Sequence, residues 1–350
     1  MPTVSAFDSK AYNPQAFGRY INSIPKVRKN EMVKANIFTS DSNLKALFNT
    51  QSTAVYAVQP LVGEFKANVQ DLDGSTDITG GTLNTYYYGV TSYIKSIAGT
   101  EKDYTKDIIP GLNALDHIAN KFSAKWDDVD EDTLVSIIKG IFASTTDGLD
   151  EFASAHTLTV DNVTEDAIYD ATQKACGDHA DIFSLAIMHS KIANELAKKQ
   201  LLNYIKYTDE RGIERNTRIA QWGAITVLVD DTTTTQTIGG QPKYVTYVLG
   251  EKLFDREDLD VEEPFERVRE GLKNGGQTTL VSRQMKVLHP MGFSYLKASQ
   301  AKITPTDSDF ANGANWGLAK TTDGDNPEYY PHKAIPLARI VSTESGSGSI

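Results

Sequence analysis

Between Leu112 and Phe142, apolar residues fall at Leu115, Ile118, Phe122, Trp126, Val129, Leu134, Ile137, Ile138 and Ile141. The gaps are mostly three and four, which gathers these side chains on one face of an α-helix. Pro110 and Gly111 stand at its start and Gly140 near its end. About 30 residues at ~1.5 Å rise make a rod of roughly 45 Å, longer than the usual globular helix. Asp127, Asp128, Asp130, Glu131 and Asp132 sit in its middle, so the face opposite the stripe is expected to be wet and acidic. Periodicity alone fits a long amphipathic helix in an ordinary α+β domain as well as a strut built into a wall.

The chain of 350 residues has room for two moderate domains or one elaborated one. A net charge of −11 argues against a surface that coats DNA or RNA, which needs Lys and Arg to replace counterions. Cys176 is the single cysteine, so internal disulfides and cysteine-based metal clusters are excluded. It is expected to fill a helix face before Gly177. The start, MPTVSAFDSK, lacks a basic-then-apolar signal pattern, and no apolar run is long enough to span a membrane. Synthesis in a cytoplasm is therefore expected.

Residues 1–50 carry seven basic and three acidic residues, leaving −15 for the remainder. Short helices are expected after Asn30 and Asp41, both N-cap types. A basic arm on an acidic body suits docking onto a neighbouring copy, or folding back on its own body. Residues 57–100 read as two β segments around a loose tip. Phe65, Ala67 and Val69 alternate with polar residues, Asp71 to Asp77 is turn chemistry, and Tyr86 to Tyr88 and Val90 to Ile94 are strong strand formers. A two-stranded hairpin is marginal alone, so it packs on a neighbour or on its own domain.

Further on, Asn162-Val-Thr-Glu165 fits a capping box opening a helix from about Val163 to Cys176. Ile182 to Met188 suits a buried strand, with Ser190 capping a helix through about Leu201. Ile225 to Val229 and Tyr244 to Leu249 read as strands, and 231–242, with its threonines and Gly239-Gly240, as a loop. Residues 251–270 hold nine acids and four bases and read as a solvated connector. Thr278 to Tyr295 reads as one long strand or a bent pair, and 343–350 as a flexible tail.

Catalytic patterns are weak. Asp128, Asp130 and Asp132 have the spacing that opens a calcium loop, but Thr133 and Lys139 stand where Gly and Glu are needed. The histidines lack helical ligand pairing, and HExxH, GxxxxGK[ST], GxGxxG and GxSxG are missing. His289, beside Pro290, suits a structural hydrogen-bonding role. Ser42 and Lys45, or Ser294 and Lys297, match SxxK without companion motifs. No cofactor, metal or catalytic residue is assigned.

An ordered series of short words points elsewhere. Trp126 followed by Gly140-Ile141-Phe142 resembles the spine helix of tailed-bacteriophage major capsid proteins. Ala186-Ile187-Met188-His189-Ser190-Lys191 is similar to that family's strand-to-helix step, Ile225 to Asp231 to its "VIVDD" strand, and Tyr244 to Gly250 to its "TYLFG" segment. Arg283 with Val287-Leu288-His289-Pro290-Met291-Gly292-Phe293 resembles its "R…LHPxGF" signature. Asp309 to Trp316 resembles "LANAANW", and His332 to Val341 its last strand. The resemblance covers roughly residues 50–342.

It implies an α+β subunit with the Hong Kong 97-type capsid fold. The expected parts are an N-terminal arm (1–56), an extended hairpin loop (57–100) and a peripheral domain (101–159) with a spine helix at 112–142. An axial domain (160–255) and a peripheral sheet with C-terminal segment (256–350) follow, and strand 333–341 fits either domain. Implied partners are other copies in pentamers and hexamers, a portal, a scaffolding protein and a decoration protein, with DNA as contained cargo and no membrane. With the chain opening on the arm, no large scaffolding region is expected ahead of it. The place implied is the virion. Contacts between subunits are expected at Phe65, Lys66, Val69, Tyr86 and Tyr88 of the loop and at Arg19, Arg28 and Lys29 of the arm. Trp126, Phe142, Val287 and Phe293 are expected to form the core between helix and sheet. An encapsulin-like or other phage-derived shell component is the alternative reading, and a hydrolase with an unrecognised site the one outside the shell proteins.

Overall fold

The apolar stripe does form one helix, of 30 residues, and the strand it lies against is matched to it in length. The computed structural model describes residues 35–50, 55–67, 69–71, 77, 80–103, 114–161, 163–164, 166–208, 214–231, 234–238, 241–321 and 327–342. Along the chain come β1 (Phe38–Thr39), α1 (Ser42–Thr50), β2 (Tyr56–Lys66), β3 (Thr82–Lys102), α2 (Ala114–Ala143), α3 (Leu149–Ala155) and β4 (Thr157–Val160). Then follow α4 (Ala167–Cys176), β5 (Phe183–Met188), α5 (Ser190–Lys198), β6 (Asn203–Thr208), β7 (Glu214–Trp222), β8 (Ile225–Val229), β9 (Thr235–Ile238) and β10 (Gln241–Gly250). Last are β11 (Phe254–Leu259), β12 (Phe265–Glu270), β13 (Gln277–Pro290), β14 (Phe293–Tyr295), α6 (Asp307–Phe310), β15 (Trp316–Leu318) and β16 (Leu337–Ser342).

The strands make two large sheets. In the first, the order is β1-β11-β13-β3-β2, and β12 pairs with β13 next to β11. In the second it is β4-β16-β10-β5-β8-β7-β6, with β9 on β10. Strand β16 lies antiparallel to β10 and parallel to β4, so the last strand goes with the second sheet. Strand β13 has 14 residues, about 46 Å at ~3.3 Å each, close to the length of α2.

Helix α2 buries Phe122, Trp126, Leu134, Ile137, Ile138 and Ile141, together with Val135. Trp126 donates its Nε1–H to Ser282 Oγ at 3.1 Å. Lys286 Nζ lies over the Trp126 ring and donates to both oxygens of Asp130, at 2.7 and 2.8 Å. Arg256 Nη2 reaches the same carboxylate at 2.8 Å. A second polar clamp joins β3 to the helix: Lys95 Nζ donates to Thr133 Oγ1 and to Asp307 Oδ1, each at 2.6 Å. The acidic middle of α2 is thus not simply wet: Asp130 is ion-paired to the sheet and Glu131 is buried.

Val287 does not share this core. Strand side chains alternate between faces; Lys286 and Leu288 point to the helix, while Val287 packs with Leu44 and Phe48 of α1, Ala57, Val90 and Leu259 on the other face. Phe142 and Phe293 do lie in the helix-side core. Gly140 stands near the helix end, as expected, but its glycine has a packing reason. It sits three residues inside α2, where an added Cβ would come within 2.0 Å of Phe310 O and 2.7 Å of Trp316 Nε1. Trp316 Nε1 donates to Phe310 O at 2.7 Å, and only glycine lets the helix approach that bond.

Several connections differ from the sequence reading. Residues 251–270 are strands β11 and β12 rather than a connector, because their charges sit on an edge half open to water. The 231–242 loop contains β9, which pairs with β10. Helix α4 begins at Ala167 with Asp166 at its N-cap. Helix α5 is capped by His189, whose Nδ1 accepts from Lys191 N–H at 3.1 Å, not by Ser190. The bent pair is real: β13 stops at Pro290, the chain turns at Gly292 (φ 84°), and β14 leaves to pair with β15.

Two histidines fasten these turns. His289 is fully enclosed and its Nε2–H donates to Phe293 O at 3.0 Å, closing the Pro290–Gly292 turn. His156 donates from Nδ1 to Leu337 O at 2.6 Å, and its Nε2 accepts from His332 Nδ1 at 3.2 Å. Burial holds both at about 4. Asp255 moves the other way, raised to about 6 by burial first and then by Asp41 and Glu257.

Trp126→Ala should cost about 3–5 kcal/mol by removing a large core side chain, and Gly140→Ala about 1–3 kcal/mol by overpacking; denaturant midpoints measure both. For pH, the unfolded imidazoles protonate below about 6.5, whereas the folded ones stay neutral to about 4. The unfolded state then binds more protons, so these two groups lower stability as pH falls through that window. Asp255 opposes them below about 6. His289→Gln, which keeps a donor for Phe293 O, should reduce the slope of stability against pH between about 4 and 6 by ~1.4 kcal/mol per pH unit. An unchanged slope would contradict this account of His289.

Candidate assembly surfaces

Strands β2 and β3 form the hairpin expected from the alternating residues. Tyr56 to Val62 pairs in steady antiparallel register with Thr91 to Thr85, and Phe65 pairs with Leu83 after a register shift. From Val62 to Phe65 the first strand takes three steps while β3 takes two, so β2 holds one extra residue, a β-bulge. A bulge inverts the alternation beyond it. Phe65 therefore joins Val58, Pro60 and Val62 on one face, opposite Leu83, Thr85 and Tyr87 of β3. Gly63 lies at the bulge, where an added Cβ would strike the Tyr86 ring at 2.4 Å.

That face is apolar and open. Val62 and Phe65 are each 66% exposed, Val58 and Leu83 each 55%. Val69, nearer the tip, is fully exposed. Scattered apolar residues are ordinary, but a contiguous row along one hairpin face marks a contact site. Strand β2 also ends the first sheet.

The opposite face belongs to the subunit itself, which corrects two expected contacts. Tyr86 is buried and meets the Tyr330 ring edge-on at 5.5 Å. Tyr88 stacks on His289 at 5.1 Å and donates to Gln59 Oε1 at 2.8 Å. Burial, then the charges of Asp255 and Asp41, push the Tyr88 phenol up to about 12, so it keeps that proton. Both rings lie on strand positions out of phase with Tyr87. The base is pinned further by Tyr87 N–H to Lys320 O at 2.8 Å, Asn84 Nδ2 to Glu328 Oε2 at 2.6 Å and Gly89 N–H to Ser294 Oγ at 2.9 Å. Hence, among the described residues, the hairpin is anchored on its own chain along this one face.

Of the other expected contacts, Phe65 and Val69 are exposed, while the Lys66 side chain and Arg19, Arg28 and Lys29 lie outside the described residues. Val58, Val62, Leu83 and Tyr87 were missed, although their period of two was readable. No cluster of three or more metal-binding side chains occurs among the described residues. Both Asp130 oxygens face cations instead.

A second open surface lies between α2 and the loop joining β11 to β12. It is a groove of about 550 Å³, walled by Phe122, Trp126, Val261, Pro264 and Phe265 and edged by Asp258 and Asp260.

No protein-family model matches the sequence. The major capsid protein of Bacillus phage SPP1 is 24% identical over 306 residues, which span 87% of this chain and 90% of that one. Among solved structures, the cyanophage Pam1 capsid subunit aligns over 99% of this chain and 100% of its own, with TM-score 0.53 and 9% identity. The capsid of Ralstonia phage GP4 aligns over 83% and 94%, with TM-score 0.51 and 12% identity. The cyanophage P-SCSP1u capsid aligns over 89% and 87%, with TM-score 0.51 and 8% identity. The chain thus has the α+β, Hong Kong 97-type fold of these tailed-phage capsids and is similar in sequence to the SPP1 major capsid protein over most of both chains.

Proposed function

We propose that this subunit assembles with its own copies, as pentamers and hexamers, into the icosahedral head that encloses the double-stranded DNA of a tailed phage. The capsid role itself follows from the relatives. The observation that carries the finer reading is the hairpin: one face fastened to the body, the other an apolar row left exposed among the described residues. The first sheet with α2 would be the peripheral domain. The second sheet with α4 and α5, including β4 and β16, would be the axial domain. The acidic body suits a wall that contains DNA without coating it. A portal, a scaffolding protein and a decoration protein are further partners of such a shell, which would form in the host cytoplasm and persist in the virion. The role is structural: the enclosed histidines are committed to backbone carbonyls of turns and strand ends.

Replacing Val69 to Gly81 with an Asn-Gly turn tests this directly, because that turn closes hairpins well. The subunit should stay folded and soluble, since the anchored face of β2 and β3 is retained. Closed shells should be lost, leaving monomers or small rings on size exclusion and in electron micrographs. Normal shells from this variant would remove the hairpin from assembly, and an unfolded monomer would assign it to the subunit's own core.

A further inference from the structure

An exposed aliphatic side chain is ordinary by itself. Ile303, 77% exposed, stands out because of how firmly it is held. It lies in the loop of residues 296–306, between β14 and α6. The Leu296 N–H donates to Asn315 O at 2.8 Å and the Ser299 N–H to Asn315 Oδ1 at 2.6 Å. The Gln300 side chain is committed within the loop: its Oε1 accepts from Tyr295 OH at 3.0 Å, and its Nε2 donates to Lys302 O at 2.6 Å and Ile303 O at 2.9 Å. Pro305 is buried and Thr306 caps α6. The loop therefore holds one apolar side chain in a fixed place, which lowers the ordering cost of binding. Its charges are Lys297 and Lys302, both exposed and in no ion pair among the described residues.

The groove between α2 and the loop joining β11 to β12 is the matching hollow. Phe122, Trp126, Val261, Pro264 and Phe265 wall it, and Phe265 is 73% exposed. In the loop at its rim, Asp258 lies 3.9 Å from Arg256 and Glu263 4.0 Å from Arg283. Asp260 and Glu262 are exposed and hold no ion pair among the described residues. Two open acids thus flank an apolar hollow, as two open lysines flank the isoleucine. Helix α2 runs over β13, with β11 and β12 on one side of that strand and β3 on the other. The groove opens on the β11 side, whereas the loop enters α6, whose Asp307 is bonded to Lys95 of β3. Knob and hollow stand on opposite flanks of α2, so the helix separates them within one subunit and a side-by-side neighbour can join them.

We propose that Ile303 of one copy seats in this groove of the next copy, a head-to-tail contact that rests on the capsid reading. Such a contact joins two different surfaces, so it repeats from copy to copy and can close into rings. The rival occupant is a neighbour's hairpin tip, residues 64–81. It carries Glu64, Asp71, Asp73 and Asp77 with Lys66 as its one base, and would meet Asp260 and Glu262 with like charge.

Disulfide trapping during assembly of the full chain tests the proposal, with electron microscopy of the unmodified chain as a separate check on the capsid reading. Cys176 is buried, so background cross-linking is low. Subunits carrying Ile303→Cys are mixed with subunits carrying Phe265→Cys, assembled and oxidised; both positions are exposed, so folding is spared. The mixture should give a linked dimer on non-reducing gels about tenfold above either variant alone, as expected for thiols held at high effective concentration. A chain carrying both changes should give a ladder of trimers and longer species, because a head-to-tail contact does not stop at two copies. Asp260→Lys with Glu262→Lys in the Phe265→Cys copy should abolish the link. Lys297→Glu with Lys302→Glu in the Ile303→Cys copy should then restore it. Shells without the link overturn the inference and leave the capsid reading standing; absence of both shells and link overturns the two together. The inference also falls if the doubly changed chain stops at dimers or links only within itself, or if Phe265→Cys links to Phe65→Cys instead.

Discussion

Asp130 binds one carboxylate to two cations in a place largely withdrawn from water, and much of the subunit is registered by that contact. The Lys286 side chain is 7% exposed and Asp130 15%. Such a group is costly to desolvate, and removal of one partner leaves buried, uncompensated charge. Burial lowers the Lys286 pKa even with Asp130 beside it. The contact ties α2 to β13 through Lys286 and to β11 through Arg256, and Arg256 in turn lies over the Phe38 ring of β1. An apolar stripe alone could slide along a flat sheet by a turn. A carboxylate with two specified partners, and a Trp126 indole bonded to Ser282, leave one axial position.

From that fixed point the C-terminal half of α2 joins the two sheets. Phe142 lies near Phe152 of α3 at 5.8 Å and stacks on Tyr247 of β10 at 6.3 Å, with the Arg339 guanidinium of β16 over its ring at 4.4 Å. Leu185, Leu228 and Val245 from the second sheet share one core with Leu288 and Phe293. Close-packed interiors resist continuous deformation. A subunit held this way has little freedom between its sheets, so in the proposed assembly any change of shape between neighbours would fall on what projects from it. That division of labour follows from where the core is, independent of any particular shell geometry.

How much of this could be read beforehand depended on the physical signal. The helix was legible because period 3.6 persisted from Phe122 to Ile141, and the hairpin because tyrosines and β-branched residues flank a Gly- and Asp-rich tip. The charged strands β11 and β12 were not, because at a half-wet sheet edge acids and bases satisfy the pleat as well as valines do, and composition then imitates a linker. Val287 was placed on the wrong face because Val287 and Leu288 are adjacent apolar residues on opposite faces of β13, and local sequence does not say which face meets the helix. Gly140 was legible as lying near the helix end, but the reason it is glycine was not, because the approach of Phe310 and Trp316 is contributed by residues far along the chain. The shift of Tyr86 and Tyr88 from neighbour contact to own core has the same origin: Tyr330 and His289 are remote in sequence and close in space.

The hairpin also shows how a strand can offer apolar surface without inviting uncontrolled pairing. An edge strand presents unpaired backbone groups, and a long flat one templates aggregation. Strand β2 carries Pro60, which removes one backbone donor, and a bulge after Val62, which twists the edge. The same bulge brings Phe65 round to the outer face. Two requirements are met by one extra residue: the backbone is spoiled as a ladder while the side-chain row is extended toward the tip. What remains exposed is recognition by shape and apolar area, which is weaker per residue than a hydrogen-bonded ladder and less demanding in angle. Contacts of that kind tolerate the tilts between neighbours in a curved wall, whereas a continuous strand pair would fix one tilt for every copy.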